Sequence, residues 1–305
     1  MKDLLRLLDL SGDQIAKILD MADTLKAEQK AGKKHDFPAG KVLAMIFEKN
    51  STRTRVSFET GIYQLGGMGI FLSSSDSQLG RGEPVEDTAR VLSRYCDCIM
   101  IRTFDQDRVE KLAKYSGVPV INGLTDLWHP CQVLADLQTI RERKGKLKGL
   151  KACYIGDGNN MANSIIVGCL KCGMDVSVAS PHAYAPSRVA LDYALSVREN
   201  RFVLTEKPSE AVQGADVIFT DVWASMGQES EKAVREKAFK GYCVDDSIMA
   251  SANDGCMVLH CLPAHRGEEI TAGVFESHAD EIFEEAENRL HAQKSVMYLL
   301  MKGML

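Results

Sequence analysis

Residues 42–67 read VLAMIFEKNSTRTRVSFETGIYQLGG. The first six are apolar without a break, as in a strand buried on both faces. Val56, Ile62 and Leu65 then recur at helical spacing, and Gly66 with Gly67 closes the helix. Strand, sharp turn and helix start follow one another within 15 residues, the repeating element of an α/β sheet. The turn holds Asn50, Ser51, Thr52, Arg53, Thr54 and Arg55. Its plain reading is a solvated cap, with Ser51 or Thr52 as N-cap. Yet two arginines in a first helical turn oppose the positive end of the helix dipole. They make sense where an anion sits among the free N–H groups, the hydroxyls and the guanidiniums.

The same alternation fills the rest of the chain. Strands are expected at 42–47, 69–72, 98–102 and 118–121, with helices at 12–31, 53–65, 84–95, 107–116 and 130–143. Pro84 and Pro130 suit the first helical position. The polar, Lys-rich stretch RERKGKLKGLK (141–151) marks a boundary. Strands resume at 152–155, 176–180, 202–205, 217–221 and 257–261. The helices between and after them are expected at 160–172, 186–198, 208–213, 231–239 and 279–302. The expected architecture is two doubly wound parallel-sheet domains joined by interdomain helices, with ligands beyond the carboxyl ends of the strands.

Composition restricts the function classes. The 305 residues are 45% hydrophobic and 26% charged, with a net charge of −5. That is an ordinary globular balance, and no basic stripe favours nucleic acid. Apolar runs such as VMYLLM fall far short of the roughly 18 residues a membrane span requires. The start, MKDLLRLLDLSGDQ, carries acidic residues and a capping box from Ser11 to Gln14, so it reads as a helix start rather than a secretion signal. Nine cysteines without such a signal point to reduced thiols and a cytoplasmic location. Cys169 and Cys172 form a C-x-x-C inside a helical pattern with no second ligand pair, and no metal is expected.

Several further segments follow strands. GDGNNMANS (156–164) has Gly156 and Gly158, but Met161 replaces the third glycine of a dinucleotide fingerprint, and no carboxylate ends the next strand. Asn159, Asn160 and Asn163 remain as amides for a polar ligand or as caps. In DLWHPCQ (126–132), His129 stands at the edge of a helix begun by Pro130, with Gln132 one turn in. Arg102 ends an apolar run. DVWASMG (221–227) offers Asp221 and no cation, which suits an ammonium group. In HCLPAHRG (260–267), Pro263 ends the strand and leaves the carbonyls of Cys261 and Leu262 as acceptors for an N–H₂ group.

The set STRTR, HPCQ, DGNN, DVWASMG and HCLPAHRG, in this order, resembles the aspartate/ornithine carbamoyltransferase family, its ornithine branch in particular. The resemblance implies a carbamoyl-phosphate domain over 1–145 and an ornithine domain over 146–279. The C-terminal helix, about 280–305, is expected to pack back on the first domain. It implies transfer of a carbamoyl group from carbamoyl phosphate to the δ-amine of L-ornithine, no cofactor, and a homotrimer or an assembly of trimers. Carried over by motif, Ser51, Thr52, Arg53 and Thr54 form the phosphate cradle, and Arg102, His129 and Gln132 contact the carbamoyl group. Gln78 is contributed to a neighbouring subunit's site. Asn160, Asp221, Ser225 and Met226 bind ornithine, and Cys261, Leu262 and Arg289 complete the set. Cys261, Arg102 and His129 are the expected catalytic residues. Other amines, such as putrescine or N-acetylornithine, and a dinucleotide-dependent oxidoreductase are the alternatives.

Overall fold

The computed structural model describes residues 2–73, 78–224 and 229–305. The chain divides into two compact units, the first of 1–138 with 288–305 and the second of 139–287.

In the first unit, β1 (Val42–Phe47), β2 (Met68–Ser73), β3 (Cys98–Arg102) and β4 (Val120–Leu124) form a parallel sheet in the order β2-β1-β3-β4. The helices are α1 (Gly12–Lys30), α2 (Thr52–Gln64), α3 (Val85–Leu92), α4 (Gln106–Tyr115) and the start of α5 (Pro130–Lys144). Ser11 caps α1 through the expected reciprocal box with Gln14. Ala44, Ile46, Ile99, Ile101, Val109 and Leu112 form one apolar core under the helices. Continuous apolar strands are buried here because helices cover a parallel sheet on both faces. Within this unit, residues 288–305 are tied in by Lys26 donating to Asn288 Oδ1 (2.7 Å) and Ser295 donating to the Ile18 carbonyl (2.6 Å).

The second unit carries β5 (Lys151–Ile155), β6 (Asp175–Ala179), β7 (Phe202–Thr205), β8 (Val217–Thr220) and β9 (Met257–His260). They form a parallel sheet in the order β7-β6-β5-β8-β9. Helices α6 (Asn160–Lys171), α7 (Arg188–Ser196), α8 (Pro208–Ala211), α9 (Lys232–Ala238), α10 (Asp246–Met249), α11 (Ala272–Ser277) and the start of α12 (Ala279–Met301) surround it. Strand order reverses between β1 and β3 in one sheet and between β5 and β8 in the other. Those two positions are the switch points where loops diverge and leave a crevice.

Pro84 is the N-cap of α3 rather than its first helical residue, because its ψ of 135° is extended although its φ suits a helix. Pro130 does open α5. The short helices α10 and α11 have no counterpart among the expected elements. They span 4 and 6 residues, too few for a helical period to show.

Candidate active site

Among the expected site residues of the first unit, Ser51, Thr54, Arg102 and Arg289 meet at the start of α2. Ser51, extended in backbone, is the N-cap of α2, and its hydroxyl accepts from the Thr54 N–H at 3.2 Å. The cap therefore forms as the plain reading expects. What surrounds it goes further. The Thr54 side chain is fully buried, and its Oγ1 receives Ser51 Oγ at 3.0 Å, an Arg289 N–H at 3.0 Å and an Arg102 N–H at 3.4 Å. Three donors face an oxygen with two lone pairs, so the cluster is rich in donors. Arg102 arrives from the end of β3 and Arg289 from α12, and both are about 95% buried. Two buried guanidiniums at the positive end of a helix concentrate charge that an anion would balance.

Thr52 and Arg53, the residues beside this cluster, are exposed. Arg55 turns elsewhere, with its guanidinium 3.8 Å from the Phe71 ring centroid and its Nε 3.1 Å from Glu59.

His129 precedes α5 and is buried. Burial, reinforced by Arg289 and Arg102, holds its imidazole well below the ordinary histidine range. A neutral ring there donates one N–H without adding a third cation. Gln132 is buried one turn on, and its amide donates to Asp136 Oδ1 at 2.9 Å. Gln78 is exposed and lines a small cavity with Ile46, Leu72, Glu83, Thr88, Val91 and Leu92.

The second unit presents a different set at its own switch point. Asp221 follows β8 and is 6% exposed. Its Oδ2 accepts from the Asn159 amide at 2.9 Å, and its Oδ1 from the Cys261 thiol at 3.1 Å and the Val222 N–H at 2.8 Å. Asn159 also caps α6, its Oδ1 accepting from Met161 N at 2.9 Å and Ala162 N at 3.3 Å. One side chain thereby starts the helix and aims the carboxylate. Asn160 is the first residue of α6. Ser225 and Met226 lie outside the described residues.

Beyond β9, Cys261 and Leu262 are half-buried, and Leu262 has φ 58° before the cis bond to Pro263. Among the described residues it is the one non-glycine in the left-handed region, a conformation that costs a branched side chain free energy. His260 Nδ1 accepts from the Leu262 N–H at 2.9 Å, which leaves Nε2–H to donate to Glu269 at 3.0 Å. Glu285 accepts from the His260 N–H at 2.9 Å. The turn bearing Cys261 is therefore held from three sides.

Ligand atoms of Asp221, His260 and Cys261 lie within 4.8 Å of one another, a spacing that could hold a cation. Both ring nitrogens of His260 are already used, so that trio does not form an open metal site. The glycines of 156–158 have reasons of their own, Gly156 a φ of 143° and Gly158 close packing. A Cβ on Gly158 would stand 2.3 Å from the Ala185 carbonyl carbon. With the cap oxygen of Asn159 occupying the first N–H groups of α6, a pyrophosphate finds no cradle there.

Asn159 belongs to the amides noted in the sequence but not to the expected ligand set. Its pairing with Asp221 spans 62 residues and has no local signal. The His260–Glu269 support is equally invisible in the sequence, because a lone Glu is a common surface residue.

Comparison with known proteins identifies the family. Residues 2–142 match the aspartate/ornithine carbamoyltransferase carbamoyl-P binding domain, and residues 148–300 match the Asp/Orn binding domain. The ornithine carbamoyltransferase of Oceanobacillus iheyensis is 57% identical over 303 residues, 98% of this chain and 94% of that protein. The structure of ornithine carbamoyltransferase from Pyrococcus furiosus superposes with a TM-score of 0.94 at 50% identity, covering 100% of this chain and 98% of that one. The structure of anabolic ornithine carbamoyltransferase from Campylobacter jejuni gives 0.93 at 42% identity, covering 99% and 100%. The chain belongs to the aspartate/ornithine carbamoyltransferase family.

Proposed function

We propose that this protein transfers the carbamoyl group of carbamoyl phosphate to the δ-amine of L-ornithine, giving L-citrulline and phosphate. The observation that carries the reading is the meeting of Arg102 and Arg289 on the Thr54 hydroxyl at the start of α2. The amine nitrogen bonds to the carbamoyl carbon, the C–O bond to phosphate breaks with its electron pair, and the amine gives up a proton.

Ser51, Thr52, Arg53 and Thr54 hold the phosphate. Arg102 and His129 donate to the carbonyl oxygen as it becomes anionic, and Arg289 adds charge beside them. Withdrawing one such donor typically costs about 2.7–4 kcal/mol of barrier. Gln132 contacts the carbamoyl amide, and the carbonyls of Cys261 and Leu262 accept from it. Asp221 anchors the α-ammonium of ornithine, with Asn160, Ser225 and Met226 around the rest of the amino acid. Cys261 lies close to the δ-amine. Its thiol donates to Asp221, an anion, which supports an orienting role over a thiolate base.

Asp221 also selects the second substrate, since an aspartate-specific enzyme needs cations for the extra carboxylate. Putrescine lacks the α-carboxylate and N-acetylornithine lacks the free ammonium. The domain limits 1–145 and 146–279 follow the same division of labour, with the helix of 280–305 returning to the first domain. A homotrimer, with Gln78 reaching a neighbour's site, follows from the family resemblance. Arginine biosynthesis is the setting that consumes citrulline. Nine free thiols support a reducing, cytoplasmic compartment. A colorimetric citrulline assay tests the reading with carbamoyl phosphate and ornithine, putrescine, N-acetylornithine or aspartate. Product with ornithine alone supports it. Equal or greater turnover of another amine overturns the assignment of Asp221.

A further inference from the structure

The segments that follow β5 and β8 are cross-linked twice. Asn159 forms one link, to the Asp221 carboxylate. Arg235 of α9 forms the other. One of its terminal nitrogens donates to Asp157 Oδ2 and to the Trp223 carbonyl, both at 2.8 Å, while Nε donates to Glu231 at 2.9 Å. Its guanidinium also lies 4.9 Å from the Tyr184 ring centroid, in the segment after β6. Arg235 is 6% exposed, so one buried fork gathers three strand-end segments of the second sheet. Asp157 stands two residues before Asn159, and Trp223 two residues after Asp221.

Burying this pair is costly. Desolvation pushes the Asp157 carboxyl up to about 6 despite the opposing pull of Arg235. Stability alone gives little reason to keep such a pair, since an apolar replacement of similar volume often does as well. Geometry gives a better one. The Trp223 carbonyl is oriented for a charged donor, and Trp223 stacks on Phe239 at 5.8 Å between ring centroids, so the backbone just beyond Asp221 is held from both sides.

We propose that Arg235, through Asp157 and Trp223, is a positioning residue for the amine substrate, fixing Asp221 and Asn160 without touching the ligand. The inference rests on the carbamoyl-transfer reading above. Arg is needed because a planar fork serves several acceptors in fixed directions, which an ammonium cannot do.

The test is the separate KM for each substrate in full-length Arg235→Met, Arg235→Lys and Asp157→Asn enzymes. Thermal denaturation of each is run in parallel. The expected result for Arg235→Met is a KM for ornithine raised at least tenfold, with the KM for carbamoyl phosphate within twofold of the parent. Arg235→Lys should recover part of the ornithine KM, and Asp157→Asn should raise it by a smaller factor. If Arg235→Met does not fold, the Lys and Asn variants carry the same comparison. An unchanged ornithine KM in the folded variants, or equal rises for both substrates, overturns the inference. Absence of citrulline from the parent enzyme instead overturns the carbamoyl-transfer reading.

Discussion

The first turns of α2 and α6 are built alike and charged oppositely. Each follows an inner strand of its sheet at the switch point, and in each an N-cap side chain, Ser51 or Asn159, accepts from one or two N–H groups of the first turn. Around Ser51 the polar hub is a neutral hydroxyl, Thr54, and its visitors are two guanidiniums. Around Asn159 the hub is a carboxylate, Asp221, and its visitors are an amide and a thiol. One construction gathers guanidiniums in one unit and a carboxylate in the other. The fold supplies the place, and three or four side chains supply the charge.

The contrast breaks first where charge is removed. Arg102→Ala should lower kcat by about 10²- to 10³-fold, in line with the loss of one oxyanion donor, while ornithine binding by calorimetry stays near the parent value. A drop in ornithine affinity as large as the drop in kcat would mean the two clusters do not act separately. Asp221→Asn keeps shape and removes charge. It should weaken ornithine by about 10- to 100-fold, the loss of a charged hydrogen bond worth roughly 1.5–3 kcal/mol. Carbamoyl phosphate affinity should hold, and equal losses for both ligands would contradict the assignment.

A smaller effect sharpens the electrostatic side. His129 is held well below its ordinary range in the folded protein, so between that depressed value and about 6.5 the unfolded chain binds the extra proton. Stability should therefore fall as pH drops below about 6.5, by up to about 1.4 kcal/mol per pH unit from this group. His129→Gln should flatten that part of the denaturation profile relative to the parent. Identical slopes in the two proteins would show that the imidazole charges freely.

What is legible in the sequence is what is local. Buried parallel strands announce themselves as apolar runs, so VLAMIF, CIMIR and VIFT stand where the periodicity places them. Motifs next to strand ends are legible because strand, turn and cap are local. The support behind them is not. Arg289 reaches Thr54 across 235 residues, and Arg235 reaches Asp157 across 78. Such contacts depend on which helices pack together, and no local pattern encodes that choice. The expected strand at 118–121 begins at Val120 instead, because Gly117 and Val118 bond to the Ser93 and Ser116 hydroxyls before the ladder starts.

The most direct measurement is a crystal structure with a phosphonate analogue of carbamoyl phosphate. The phosphonate oxygens should lie within hydrogen-bond distance of Ser51, Thr52, Arg53 and Thr54, with the carbonyl oxygen facing Arg102 and His129. A phosphonate bound away from the start of α2, with the Thr54 cluster unchanged, would contradict the account.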